Sequence, residues 1–483
     1  MSLAKRMFKG MAWSAIEQFS VDILHFSLGI VLARILDPAE YGIIGILLIF
    51  IAYSDIFIDG GFASALIQKQ DRTEDDKSTI LWFNLFISIL CYLILFFASP
   101  VIATFFEISQ LEEIVKVLAL VLIINASYTV PDTLFAIDLD FKTLAKVSFV
   151  ATLISGVTAI ILAYNGYGVW ALVFQSLIRS SINALATWIL VKWKPNWVFS
   201  WHALKSMFKY SSNVMASALL NTTVSHIYGL VIGKVMGARS LGFYSRGTTF
   251  ADAAYGALDG ILDSVIFPGL STIQNQKENL IAYTRKIIRA TALMIIPIFL
   301  LLAVLAEPII KVLLTEKWLP AVPIMQIFCI ARLITIISGI NENLLFVIGR
   351  TDLVLKQQVL KIVIRVILLL ISFQHGIVYI AMAELLATAI HFFINTYYPG
   401  KIMGYGAFKQ IRELLPIILA GSVTAVITLL ITNHLENHYI DIVITGLTGL
   451  GTYLLVIKLL KVHELSELWN LSLDFFGKAK HKP

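Results

Sequence analysis

Apolar runs of about 18–22 residues recur along the whole 483-residue chain. A bilayer core is about 30 Å thick and takes about 20 apolar residues to cross as a helix. Lipid cannot satisfy the unpaired backbone groups of an open sheet. The runs therefore dictate an all-α polytopic membrane protein. Composition agrees, with 58% hydrophobic residues, 14% charged residues and a mean hydropathy of +0.84. Soluble domains carry roughly 25% charged residues, so this chain could not cover a water-facing surface.

The pattern predicts about fourteen spans, at 13–33, 41–66, 78–99, 114–137, 145–164, 169–191, 210–233, 242–267, 288–306, 320–347, 355–373, 376–398, 413–432 and 440–458. The links between them are too short to hold an extramembrane catalytic domain. The N-terminal segment is basic and amphipathic and lacks a short apolar core with a small-residue cleavage site, so we read it as retained. Cys91 and Cys329 lie inside apolar runs and form no disulfide framework or metal spacing.

The net charge of +6 reflects topology. With the N-terminus inside, most Lys and Arg residues fall on the cytoplasmic side, from Lys5, Arg6 and Lys9 through Lys356 and Lys361 to Lys482. The outer side holds Arg34, Lys116, Lys234, Arg239, Lys311 and Lys317. This bias places both termini in the cytoplasm and argues against nucleic acid as a partner.

The chain repeats itself at an offset of 200. Met7-Phe8-Lys9 meets Met207-Phe208-Lys209, Gly29 meets Gly229, Gly42 meets Gly242, Phe50 meets Phe250, and Asp59-Gly60 meets Asp259-Gly260. At slightly larger offsets "PVIATFF" from Pro100 matches "PIIKVLL" from Pro308. An even number of spans per copy gives two parallel six-helix halves around a central cleft, plus two C-terminal helices. The expected divisions are 1–194, an interfacial linker helix at 195–209, 210–400, helices 13 and 14 at 401–462, and a cytoplasmic interfacial tail at 463–483. The linker carries Trp197, Trp201, Leu204 and Phe208 at helical spacing beside Lys205 and Lys209, which suits an anionic inner leaflet.

Ionisable groups inside spans are costly and mark a pathway by default. Gln18, Asp22, His25 and Gly29 share one face of span 1, and Gln175 and Arg179 one face of span 6. Asp252, Gly256, Asp259 and Asp263 form a stripe on span 8, with Arg246 nearer its outer end. Arg332 lies on span 10, Arg365 on span 11, and Glu384, Thr388, His391 and Asn395 on span 12. These assign a water-filled cleft lined by spans 1, 2, 6, 7, 8, 10, 11 and 12. Buried salt bridges would produce the same residues. Asp59 and Asp259, at paired inner ends, read as a helix–helix clamp. Arg34 and Lys234, at paired outer ends, read as gate residues, although snorkelling would also place them there.

Phosphate-loop, zinc and nucleophile-elbow motifs are absent from the sequence. We therefore expect a non-enzyme with no cofactor and no metal, driven by an ion gradient, a membrane potential or the substrate gradient. Proton or sodium coupling stays open.

"LARILDPAEYGIIG" followed by "DIFIDGGFASALIQKQ", and "LGFYSRG" at Leu241, resemble the Wzx-type polysaccharide repeat-unit flippases. These belong to the multidrug/oligosaccharidyl-lipid/polysaccharide exporter superfamily, and the likeness is nearest its colanic and teichuronic acid exporter branch. The resemblance implies translocation of an undecaprenyl-pyrophosphate-linked oligosaccharide across the bacterial inner membrane by alternating access, with polysaccharide polymerase and assembly proteins as partners. Lipid II flippases and cation-coupled multidrug antiporters share the fold and remain alternatives. A polymerase or ligase would need a large outer loop, which the sequence lacks. On this reading Arg246, Arg332 and Arg365 meet the pyrophosphate, while Asp22, His25, Gln175 and Arg179 meet the sugars. Glu384 and His391 complete the cleft.

The charge bias makes a direct prediction. A cysteine at Asn437 should react with an impermeant maleimide from outside, and one at Lys480 only after permeabilisation. The opposite pattern would invert the topology.

Overall fold

A computed structural model describes residues 20–432, 438–460 and 462. Every regular element among them is helical. Gln18 and the amphipathic C-terminal segment lie outside the described residues. Eleven helices are long and apolar enough to cross a bilayer, with Trp201–Gly260 counted once. The chain separates into two compact units, divided between Gly242 and Phe243.

The first unit contains α1 (20–35), α2 (Pro38–Asp59), α3 (Phe62–Gln68), α4 (Glu74–Phe106), α5 (Leu111–Leu118), α6 (Leu120–Ile137), α7 (Phe141–Tyr164) and α8 (Val169–Leu190). It also takes the first limb of α9 (Trp201–Ser271). Gly237 divides α9, with φ 79° and ψ 170°. Only glycine adopts that conformation cheaply, so the chain turns there and a second limb begins at Ala238. Pro38 opens α2 because the missing N–H costs nothing at a helix start. The Glu40 carboxylate accepts from the Asp37 N–H at 2.7 Å.

The expected span at 41–66 is two helices. Gly60 and Gly61 both have positive φ. Asp59 accepts from the N–H groups of Gly61 at 3.1 Å and Ala63 at 3.2 Å. A carboxylate that caps the next helix ends its own, so α3 starts on a new axis. Phe62, Leu66, Ile80, Leu81, Leu204 and Met207 then form one buried cluster at this end of the unit.

The expected linker helix begins later than the spacing suggests. Residues 191–200 are non-helical and strapped to α4. The Asn196 N–H donates to Ser78 Oγ at 2.9 Å, and the Ser200 N–H to Thr79 Oγ1 at 3.0 Å. Trp82 Nε1 donates to the Asn196 carbonyl at 2.9 Å, and Trp197 stacks on Trp82 with centroids 4.5 Å apart. The strap takes its hydrogen bonds from α4 side chains, so it has no need of a helix. Helix starts only at Trp201 and runs on without interruption into the first limb of α9.

Small residues bring the helices together. Leu28 of α1 seats on Gly156 of α7. Ile46 and Ile49 of α2 seat on Gly233 and Gly229 of α9. In lipid there is little hydrophobic drive between helices, so close van der Waals contact at small residues does this work.

The second unit contains the second limb of α9, α10 (Lys277–Val304), α11 (Ala306–Leu313), α12 (Val322–Val347), α13 (Thr351–Ser372), α14 (Ile377–Met403), α15 (Ala407–Thr432) and α16 (His438–Leu459). Trp318 is wholly buried, edge-on to Phe243 at 6.1 Å. Gly421 of α15 and Gly449 of α16 receive Ile296 and Leu301 of α10. Tyr453 Oη donates to the Leu293 carbonyl at 3.0 Å, which ties α16 to α10.

The start of α4 offers a test of local stability. Asp76 is buried, accepts from Lys69 Nζ and from the Thr73 N–H, both at 2.8 Å, and its own N–H donates to Thr73 Oγ1. Asp76→Ala removes a cap and strands a lysine, and should cost about 1–3 kcal/mol. Thermal unfolding in detergent should show a clear fall in Tm for Asp76→Ala and almost none for the exposed neighbour in Asp75→Ala.

Candidate functional site

Each unit carries its own polar cluster within its spans. In the second unit the cluster joins the second limb of α9 with α12, α13 and α14. Arg332 Nε donates to Asp252 Oδ1 at 2.6 Å. The Arg332 guanidinium also lies 5.4 Å from the ring centres of Tyr255 and Phe328. Arg365 Nη2 donates to Glu384 Oε1 at 2.8 Å. One turn away along α13, Lys361 Nζ donates to Glu342 Oε2 at 2.8 Å, and Gln358 donates to Glu342 Oε1 at 2.6 Å. His391 Nε2 is 3.2 Å from the Lys361 carbonyl, and Asn395 donates to Ser338 Oγ at 2.9 Å.

The helical period explains why these residues meet. Glu384, Thr388, His391 and Asn395 recur at steps of four, three and four residues, and all four are buried on one face of α14. Gln357, Lys361 and Arg365 recur at steps of four on the facing helix α13. Removing an ion from water is expensive, and a partner charge in good geometry offsets that cost. Here Arg332, Lys361 and Arg365 each have one carboxylate, in Asp252, Glu342 and Glu384. Each of these three pairs is charge-balanced. Arg365 Nε is buried without a partner.

In the first unit the cluster joins α1, α2, α6 and α8. Arg179 Nη1 donates to His25 Nε2 at 2.6 Å. Tyr128 Oη donates to Asn125 Oδ1 at 3.3 Å. Asp55, Asp132 and Asn183 lie near these two side chains. This surface of amides, carboxylates and a phenol can donate and accept in many directions, as hydroxyl-rich ligands require.

The remaining expected residues take other positions. Asp22 is exposed on α1, Gln175 is half-buried one turn before Arg179, and Arg246 is half-buried near the start of the second limb of α9. Asp259 lies two turns beyond Asp252 on that limb. Asp59 spends its carboxylate on the α2–α3 turn. Arg34 is exposed at the end of α1, while Lys234 pairs with Glu107 at 2.9 Å and lies over Phe105 at 5.0 Å. Among the described residues no group of three or more His, Cys, Asp or Glu side chains could hold a metal ion.

Sequence reasoning missed α6. Asn125, Tyr128 and Asp132 recur at steps of three and four residues inside an apolar run, and that spacing was available as a signal. Lys361 stood among the inner-side charges, yet it is buried against Glu342. Its spacing of four residues from Gln357 and from Arg365 was the available clue.

Residues 31–323 match the family model described as a polysaccharide biosynthesis protein. Teichuronic acid biosynthesis protein TuaB of Bacillus subtilis is 26% identical over 356 residues, covering 73% of this chain and 73% of that protein. Succinoglycan biosynthesis transport protein ExoT of Rhizobium meliloti is 23% identical over 329 residues, covering 68% and 67%. The solved structure of lipid II flippase MurJ in an inward closed conformation aligns with a TM-score of 0.73 over 92% of this chain and 98% of that one. At 18% identity, that likeness is one of fold.

The buried pairs carry a prediction of their own. Arg365→Ala leaves Glu384 buried without its partner and should destabilise by about 3–5 kcal/mol. Adding Glu384→Gln should recover a large part of that loss. Melting curves of the two single variants and the double variant would show it. Additive losses would mean that the two side chains are energetically independent.

Proposed function

The chain belongs to the polysaccharide biosynthesis protein family, and from that membership we propose that it is a flippase for lipid-linked oligosaccharide repeat units. The cargo is a sugar chain on undecaprenyl pyrophosphate, carried from the inner to the outer leaflet of the bacterial inner membrane by alternating access. Both termini are cytoplasmic on this reading. Polymerase and assembly proteins receive the product outside.

The observation that carries the chemistry is the set of ion pairs within the spans of the second unit. A pyrophosphate bears two or more negative charges, and crossing about 30 Å of hydrocarbon without counter-charge is prohibitive. Arg332 and Arg365 are permanently charged and suited to fork a phosphate. Their resting carboxylates hold them in place and keep the empty path neutral. The headgroup exchanges with Asp252 or Glu384 as the ligand of each guanidinium, so entry costs little net charge separation. Arg246, near the start of the same limb of α9, extends the path toward the outer side. The first-unit cluster of Asp55, Asn125, Tyr128, Asp132, Arg179 and His25 meets the sugars. Asp22 and Gln175 extend that surface.

A second reading draws on the carboxylates of that first-unit cluster, Asp55 and Asp132, beside Asp59. A cation-coupled antiporter of small organic cations would use them for ion exchange. Such substrates gain nothing from Arg332 and Arg365, which is why the flippase reading is preferred.

Export of lipid-linked repeat units decides between the two. A charge-assisted phosphate contact is worth roughly 1.5–3 kcal/mol. Arg332→Ala and Arg365→Ala, each combined with neutralisation of its carboxylate to preserve folding, should slow export about tenfold or more. The Arg→Lys changes should restore part of it. Export at the wild-type rate by both neutralised pairs at matched protein levels would overturn the reading.

A further inference from the structure

The offset of 200 residues reappears as a physical contact inside the first unit. Pro38 opens α2 and Ala238 opens the second limb of α9, and each is followed four residues later by a glycine, Gly42 and Gly242. A methyl group on Gly42 would overlap the Ala238 carbonyl oxygen and lie 2.8 Å from the Ala238 Cα. A methyl group on Gly242 would overlap the Pro38 carbonyl oxygen and lie 3.2 Å from the Pro38 Cα. The contact is reciprocal, because each glycine rests on the first carbonyl of the other helical segment. All four residues pair at the same offset that the repeat shows.

We propose that Gly42 and Gly242 form the closure of the transport path on its outer side. The inference rests on the alternating-access reading above. At the two glycines themselves backbone lies against backbone, a close approach of the kind that allows Cα–H···O=C contacts, which are individually weak. A contact of that kind can part and re-form in each cycle. Immediately below it, Gly233 receives Ile46, whose Cγ1 would lie 3.0 Å from a methyl group at that glycine, and Gly229 receives Ile49 at 3.1 Å. Tyr53 Oη donates to Thr223 Oγ1 at 2.9 Å further along. Those contacts belong to the first limb of α9, whereas the second limb adds Leu241, whose side chain would lie 3.4 Å from a methyl group at Gly45 of α2 and 3.9 Å from one at Gly229, beside Ile49. Parting the second limb from α2 at the glycines draws Leu241 away from this spot and uncovers Ile49, which is buried when they meet. A Cβ at either glycine props the crossing open, because the opposing atoms are backbone and cannot rotate away.

The test reads conformation and export separately. An Ile49→Cys reporter is placed in a Cys91→Ser, Cys329→Ala background and treated in spheroplasts with an impermeant maleimide. Gly42→Ala and Gly242→Ala should each raise the labelling rate roughly tenfold, the scale expected when a close crossing is overpacked. The double variant should add little, since both changes disturb one crossing. Gly446→Ala, which meets nothing within 4 Å, should leave labelling unchanged. Unchanged labelling in both test variants, at wild-type protein levels, would overturn the proposal. If the alanine variants fail to accumulate, a Gly45→Cys, Leu241→Cys pair across the same crossing replaces them. Oxidation should cross-link the pair and stop export, and reduction should restore it. Full export by the cross-linked protein would overturn the proposal. Raised labelling in a protein that exports no lipid-linked sugar would support the closure and defeat the flippase reading instead.

Discussion

A charge placed where there is no water must bring its counter-charge with it. That constraint organises the second unit. Asp252, Glu342 and Glu384 are partnered by Arg332, Lys361 and Arg365, and the pairs connect four helical segments. The same lack of water makes every regular element helical, because a helix satisfies its own backbone. In the strap at 191–200, Ser78, Thr79 and Trp82 of α4 supply hydrogen bonds that a helix would make within itself.

The second organising term is closeness. Lipid gives two apolar helices little reason to associate, so contact area at short range has to do so. Glycines at 156, 229, 233, 421 and 449 each accept a leucine or isoleucine from a neighbouring helix. At 42 and 242 the approach goes further, and backbone meets backbone. Side-chain seats of the first kind interdigitate, whereas at these two glycines the opposing atoms are backbone.

These two terms bear on how a polyanionic lipid headgroup would be handled. An unpaired cationic lining would bind such a group tightly and release it slowly. Paired arginines replace attraction by exchange, which suits carriage better than storage. The first-unit cluster is of another kind, with an amide, a phenol and a histidine set among Asp55, Asp132 and Arg179, and suits ligands rich in hydroxyls.

Membrane class, helical architecture and most span positions were written in the sequence, because each depends on a run of neighbouring residues and on a thickness that lipid imposes. The 200-residue echo was legible for the same reason, and Gly42 and Gly242 stood in it. Arg332, Arg365, Glu384 and His391 could be picked out as ionisable residues in apolar runs. Tertiary structure decided what each of them touches. It turned three expected cleft residues, Arg332, Arg365 and Glu384, into members of ion pairs, and turned Lys361 from an inner-side charge into a buried partner. It brought Asn125, Tyr128 and Asp132 into a site that hydropathy had passed over, and bent α2 away from α3 at Gly60 and Gly61. Hydropathy sums over neighbours in the chain, whereas a salt bridge depends on neighbours in space, here 80 residues apart in Asp252 and Arg332 and 127 apart in Glu107 and Lys234.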